Sequence, residues 1–458
     1  MSAVKSGEFS ETLIAYHPGV TTMWLAGLRT FFTRDVVNVE SLARARWFIG
    51  IVVSVGIGIT SFLLYRLFGQ WIALAGFACL AYSPLFWAQT RRVHTDALAT
   101  TFLLLTMLLF FCYCQNRQHI RYLIFSGIAF GLAVLSKSYV LILLPWLPVC
   151  LFLFREKRVS VFWRHIAEGI VFLSCTVLTV FTLWPVFWTP IFALMALCLF
   201  GITVVLFREM KKDRCPSWLV GALLVGLCLV GVRAIQTVWH VFDRVNWAVN
   251  TAHEVEHFFL GKVVHDPGWL FYPFALTIKS TPLILPLAIV GCVLLWRQRK
   301  HTEQTARHFK TGVALGIGVV IFTVCLSATS KKFSRYLLPT FLMLEILAAI
   351  GLVKGIKWGY NVLRSHFGSA QIAKYKTALT VLVCVVFFLI QVMPVLALHP
   401  YYGTYYNLCW KVTDITKIIT VGEASGLDIA AKYLNEKPDA QKLSVSLNTA
   451  SNGYRKGS

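Results

Sequence analysis

Apolar runs of about twenty residues recur along most of this chain, separated by short basic loops, and they decide what it can fold into. A run of that length crosses the hydrocarbon core of a bilayer as a helix. Lipid offers the backbone no hydrogen-bond partner, so each crossing must satisfy its own amides and carbonyls. The runs fall at 47–68, 71–89, 97–115, 121–136, 138–155, 166–188, 190–207, 217–235, 270–296, 311–329, 336–355 and 377–398. The pattern predicts an all-α multi-pass membrane protein. Its domains are an external or interfacial segment 1–46, a bundle of about twelve helices over 47–398 and a short external tail 399–458. Val20–Phe32 is apolar but short and interrupted by Arg29, which suits a helix lying in the interface.

The composition agrees: 57% of residues are hydrophobic and 14% charged, against roughly 25% charged in soluble proteins. The net charge of +23 has the size of a nucleic-acid signal. The Lys and Arg residues sit mainly in short loops between apolar runs, however, which is the positive-inside pattern and excludes that class. Loops around Arg117 and Arg121, Arg155–Arg164, Arg208–Arg214, Arg297–Lys310 and Lys354–Lys376 share one side, read as cytoplasmic. The other side receives 1–46, 90–96, the long loop 236–269, Ser330–Tyr336 and the tail. Placing 1–46 outside with no signal-peptide pattern at Met1 leads to the expectation of a further helix upstream. Cys79, Cys112, Cys175, Cys228 and Cys325 lie within apolar runs and read as small buried hydrophobes.

Chemistry concentrates on the outer side. Thr90–Leu98 carries Arg91, Arg92, His94 and Asp96 at the mouth of a span. Ionisable groups beside a bilayer are costly and mark functional sites. The competing reading is an interfacial loop whose arginines hold headgroups and whose Asp96 caps the next helix. The 236–269 loop is rich in His, Trp and carboxylates; Lys332, Arg335 and the intramembrane Lys279 follow. Cations converging there suit a phosphate. His253-Glu254-Val255-Glu256-His257 fits the HExxH zinc pattern, but a polar interfacial helix is the commoner case. Glu345, inside a span, reads as a structural ion pair before a proton relay. Gly127 and Gly131 form a GxxxG that allows close helix packing.

Several stretches carry a family resemblance: Tyr16-His17-Pro18-Gly19, Arg92-Val93-His94-Thr95-Asp96-Ala97, Leu135-Ser136-Lys137-Ser138, Lys279-Ser280-Thr281-Pro282, Arg335-Tyr336-Leu337-Leu338-Pro339 and His399-Pro400-Tyr401-Tyr402. Together they resemble polytopic glycosyltransferases of the GT-C fold, in glycosyltransferase family 39: the dolichyl-phosphate-mannose protein mannosyltransferases and aminoarabinose transferases. The resemblance implies a GT-C helical bundle with interfacial helices in its external loops, in a prokaryotic inner membrane with the active side extracytoplasmic. It implies transfer of a mannose-like hexose or aminosugar from a polyprenyl-phosphate donor to a protein, lipid or glycan acceptor, by inverting single displacement. Asp96 and His94 would be catalytic. Lys279, Arg335 and Arg92 would hold the donor phosphate, and His17 would lie on the acceptor side. No cofactor is implied for certain; a divalent metal stays open. The family's first helix and acidic motif belong upstream of Gly7-Glu8, so this chain is expected to lack them. The rival readings are a non-catalytic remnant or subunit, and a lipid flippase or transporter.

Overall fold

The computed structural model describes residues 4, 6–12, 18–28, 39–155, 161–211, 221, 257–329, 332–367, 369–410, 418–419 and 426–443. It is a helical membrane bundle with one small β-hairpin. In chain order the elements start with α1 (Val20–Gly27), α2 (Val39–Phe68), α3 (Gln70–Ala81), α4 (Pro84–Thr90), α5 (Asp96–Gln115) and α6 (Ile120–Ser136). A 3-10 turn over Ser138–Leu143 leads to α7 (Trp146–Leu153), α8 (Val161–Leu183) and α9 (Pro190–Lys211). Strands β1 (His257–Phe259) and β2 (Lys262–Val264) pair antiparallel. Then come α10 (Phe271–Lys279), α11 (Ile284–Gln298), α12 (Glu303–Ser327), α13 (Leu338–Phe367), α14 (Ser369–Ala397) and α15 (Leu427–Asn435).

Among the described residues, seven helices are long and apolar enough to cross a membrane, and nine if each bent pair is one crossing. The run 71–89 is not straight: α3 and α4 meet at 60°. Pro84 opens α4 after an extended Ser83, because the ring removes a helix donor and disfavours helical backbone before it. Likewise α10 and α11 meet at 101° across Ser280–Leu283, which contains Pro282. The run 138–155 is a 3-10 turn and the short α7. Of the run 217–235 only Gly221 is among the described residues.

Two helices form the axis. The apolar stretches of α5 and α13 are 89% and 83% buried within the protein, far more than those of the other crossings. Both are apolar on every side, as a helix enclosed by others must be. Glycine sets how closely several neighbours approach. A Cβ at Gly351 would strike the Leu287 carbonyl oxygen, and one at Gly291 the Leu347 carbonyl, so α11 and α13 meet backbone to backbone. The Gly127–Gly131 pair does the same for α6 against α8: a Cβ at Gly127 would lie 2.6 Å from the Phe172 oxygen. Thr176 Oγ1 also donates to the Gly127 carbonyl at 3.0 Å.

Glu345 departs from the sequence expectation. On α13, facing α3, it makes no ion pair among the described residues; the Ser83 hydroxyl hydrogen-bonds it instead. The bend before Pro84 brings a hydroxyl, not a cation, to that depth.

Candidate active site at the Asp96 end of the bundle

Asp96 lies in the first turn of α5, after Thr95 at the cap position, and its side chain is wholly buried. The capping reading therefore gives way to ion pairing. Lys137 Nζ donates to Asp96 Oδ1 at 2.6 Å. His94 Nδ1 lies 2.9 Å from Oδ2, and Arg335 Nε lies 3.5 Å from the same oxygen. The three partner side chains come from three separate places. His94 stands on the turn before α5. Lys137 occupies the extended break between α6 and the 3-10 turn. Arg335 lies in the 3-10 turn Ser334–Leu337 that leads into α13. The N-terminal end of a helix adds its own positive potential around a carboxylate at Asp96.

Aromatic rings wall the group. Lys137 Nζ is 4.4 Å from the centroid of the Tyr336 ring and 5.3 Å from that of Tyr139. The Arg335 guanidinium lies 4.3 Å from the Phe333 ring. The α1 segment packs beside the break: Gly19 N donates to the Ser136 carbonyl, and the Thr21 and Ser136 hydroxyls are 2.7 Å apart.

Access differs among the four. Asp96 has no exposed side-chain surface and Lys137 2%, whereas Arg335 keeps 19% and His94 38%. The buried pair is a fixed support, and the open pair faces outward. Because His94 turns Nδ1 toward the carboxylate, its Nε2 is the nitrogen directed elsewhere. Among the described residues the Asp96 carboxylate faces two permanently charged side chains, Lys137 and Arg335. That arrangement can hold a phosphate and move a proton; a dication would compete with Lys137 and Arg335 for the same oxygens. Among the described residues no group of three or more His, Cys, Asp or Glu could hold a metal ion.

The remaining sequence candidates are placed as follows. Lys279, at the end of α10, donates to the carbonyls of Gly403 at 3.0 Å and Tyr405 at 2.9 Å, and lies 3.8 Å from the Tyr406 ring centroid. It clamps the segment after α14. Arg92 is half-buried on the His94 turn, its amide donating to the Gln89 carbonyl. His17 lies outside the described residues, as does most of HExxH. His257, the last residue of that motif, opens β1 and packs against Phe271 and Phe333. Burial there pushes its pKa below the ordinary histidine value. Lys332 pairs with Asp266 at 2.9 Å, tying the segment after β2 to the start of the Arg335 turn.

Lys137 is the member that sequence reasoning did not single out. A lysine between two apolar runs is the signal that could have found it.

A hollow of about 1050 Å³ opens beside this end of the bundle, between α2, α3 and α4. Arg91 and Thr90 line it, but His94, Asp96, Lys279 and Arg335 do not. The hollow is therefore separate from those four side chains.

The family model described as dolichyl-phosphate-mannose-protein mannosyltransferase matches residues 24–184, a stretch that includes His94, Asp96 and Lys137. Among solved structures the chain is similar to the oligosaccharyltransferase AglB from Archaeoglobus fulgidus in complex with an inhibitory peptide and a dolichol-phosphate, at 14% identity and a TM-score of 0.47. That match covers 96% of this chain and 54% of the other, so the chain spans about half the length of that protein. The match to ArnT from Cupriavidus metallidurans bound to undecaprenyl phosphate has 16% identity and a TM-score of 0.38, over 83% of this chain and 61% of that one. No curated protein matches the chain.

Proposed function

We propose that this chain is a membrane glycosyltransferase of the GT-C type that moves a sugar from a polyprenyl-phosphate donor to a hydroxyl-bearing acceptor. The observation that carries the reading is the buried Asp96 carboxylate held among Lys137, His94 and Arg335 at one end of the bundle. The partial family match supports it, because the matched stretch contains three of those four residues.

The chemistry asked of the site is a single displacement. The acceptor oxygen attacks the anomeric carbon as the bond from that carbon to the phosphate oxygen breaks. The leaving phosphate keeps the bonding electrons, and the hydroxyl proton passes to a base. Asp96 is too enclosed to meet an acceptor and acts as a positioning residue: it fixes the His94 ring and balances Lys137. His94 Nε2 is the base, a role worth about 10²–10⁴-fold in rate. Arg335 stabilises charge on the departing phosphate. On the basic-loop rule the reaction faces the extracytoplasmic side, and the family resemblance implies a prokaryotic inner membrane. A mannose-like hexose or an aminosugar, and a protein, lipid or glycan acceptor, fit this reading.

The test is purified protein in lipid nanodiscs with radiolabelled polyprenyl-phosphate sugars, following release of polyprenyl phosphate and label in the acceptor. Consumption of at least one donor, lost in His94→Ala and Asp96→Asn, is expected. No consumption of any donor, or unchanged consumption in both variants, overturns the reading.

A further inference from the structure

The hollow between α2, α3 and α4 takes no part in the site above, yet its composition is ordered from one end to the other. At the Asp96 end stand Arg46, Arg91 and His399, with Tyr402 beside them. Further along α2 the walls are apolar, reaching Ile57, Phe77 and Leu80. Among the described residues no carboxylate lines it. The Arg91 guanidinium lies 5.5 Å from the Tyr402 ring and 3.5 Å from the Pro400 carbonyl, which fixes one cation at the rim. Trp47 and Trp87 line the same end, where interfacial rings belong, and Trp47 is 73% exposed.

The length is informative. From Arg46 to Ile57 the groove follows eleven residues of α2, about 16 Å of helix rise. One leaflet of hydrocarbon is about 15 Å deep, half the core thickness. With Arg46 and Arg91 at headgroup level, a groove of this length would reach about the bilayer centre.

We propose that this groove is a seat for a bilayer phospholipid with an anionic headgroup. One acyl chain lies along α2 against Phe77 and Leu80, and the phosphate meets Arg46 and Arg91. The charge at one end selects an anionic headgroup, and the single-leaflet depth suits an acyl chain over a much longer polyprenyl tail. The seat is independent of the transferase reading. It touches that site only through the chain, since Arg91 begins the turn that carries His94 and Asp96. A lipid held there tethers that turn from its lipid-facing side.

Native mass spectrometry of the full chain in delipidated micelles tests this, with phosphatidylglycerol, phosphatidylcholine and undecaprenyl phosphate as probes. Phosphatidylglycerol is expected to bind more tightly than phosphatidylcholine, by about fivefold for each arginine engaged. The double variant R46Q/R91Q should erase that preference. Gly50→Trp should lower occupancy by phosphatidylglycerol, because Gly50 lines the groove and a Cβ there meets nothing within 4 Å. Equal binding of the two phospholipids by the unmodified protein overturns the proposal, and that comparison needs no variant to fold. A preference that survives R46Q/R91Q also overturns it. So does undecaprenyl phosphate displacing phosphatidylglycerol from the unmodified protein but not from Gly50→Trp, which would assign the groove to a prenyl chain.

Discussion

Lys137 Nζ sits 2.6 Å from Asp96 Oδ1, and both side chains are buried, so two helix ends 41 residues apart in sequence are joined by one charge pair. Removing one partner of such a pair leaves the other charge enclosed, at a cost of about 3–5 kcal/mol, whereas removing both is far milder. Lys137→Met and Asp96→Asn should each lower the melting temperature of the detergent-solubilised protein. The double variant should recover much of that loss. Donor consumption should stay absent in the double variant, because the support for His94 has gone. Additive destabilisation in the double variant would show that the two side chains do not depend on each other.

His94 and Arg335 are the outward members, and their substitutions should separate. His94→Ala is expected to lower kcat by about 10²–10⁴-fold with little change in KM for the donor, as loss of a proton acceptor does. Arg335→Ala should raise the donor KM as well as lower kcat, and Arg335→Lys should restore part of the binding. Steady-state kinetics against donor concentration make the distinction. Identical kinetic defects in the two variants would contradict separate roles.

Lys279 gives a contrasting expectation. Its ammonium donates to two carbonyls after α14, so Lys279→Met should expose residues 399–407 to limited proteolysis. Arg335→Ala should leave that segment protected. Mass spectrometry of the fragments reads both outcomes.

Acid should loosen the hairpin before it unfolds the bundle. Burial opposes charge on Asp266, but the Gly268 amide and the Lys332 ammonium outweigh it and hold the carboxyl below its ordinary value. The stability from this pair is therefore fully present above about pH 4, the ordinary aspartate value. It is lost as pH falls through the depressed value of the folded state. Protection factors of residues 257–268, corrected for the intrinsic pH dependence of exchange, should be lower at pH 3 than at pH 6 in the wild type, and the difference should be smaller in Asp266→Asn.

The contact between α11 and α13 leaves no room for a side chain. Gly351→Ala forces a methyl against the Leu287 carbonyl, which is backbone and cannot swing aside. A loss of about 1–3 kcal/mol is expected. Gly359→Ala, on the same helix with nothing within 4 Å of its Cβ, is the control and should melt like the wild type.

The crossings were legible wherever apolar length alone decides them. The predicted run 97–115 is α5, Asp96–Gln115, to within a residue. Hydropathy is blind to direction, so it joined α3 to α4 and α10 to α11 across bends, although Pro84 and Pro282 mark both places. At the site, His94, Asp96 and Arg335 could be singled out as charges at the membrane edge. Lys137 could have joined them as a lysine between two apolar runs, but its pairing with Asp96 has no sequence pattern, because it arises only through the packing of α5 against α6. Lys279 and Glu345 carry the same lesson. A charge in a span announces that it needs a partner, but the partners here are two carbonyls of a distant turn and a serine hydroxyl, and neither has a pattern in sequence.

Neighbouring helices sheathe α5 along nearly all of its length, and this restricts traffic to Asp96. Among the described residues, a molecule diffusing in the plane of the bilayer meets the outer helices before it meets that axle. On the transferase reading, a donor would then engage the cluster with its head at the end of α5, its greasy tail trailing outside the sheath.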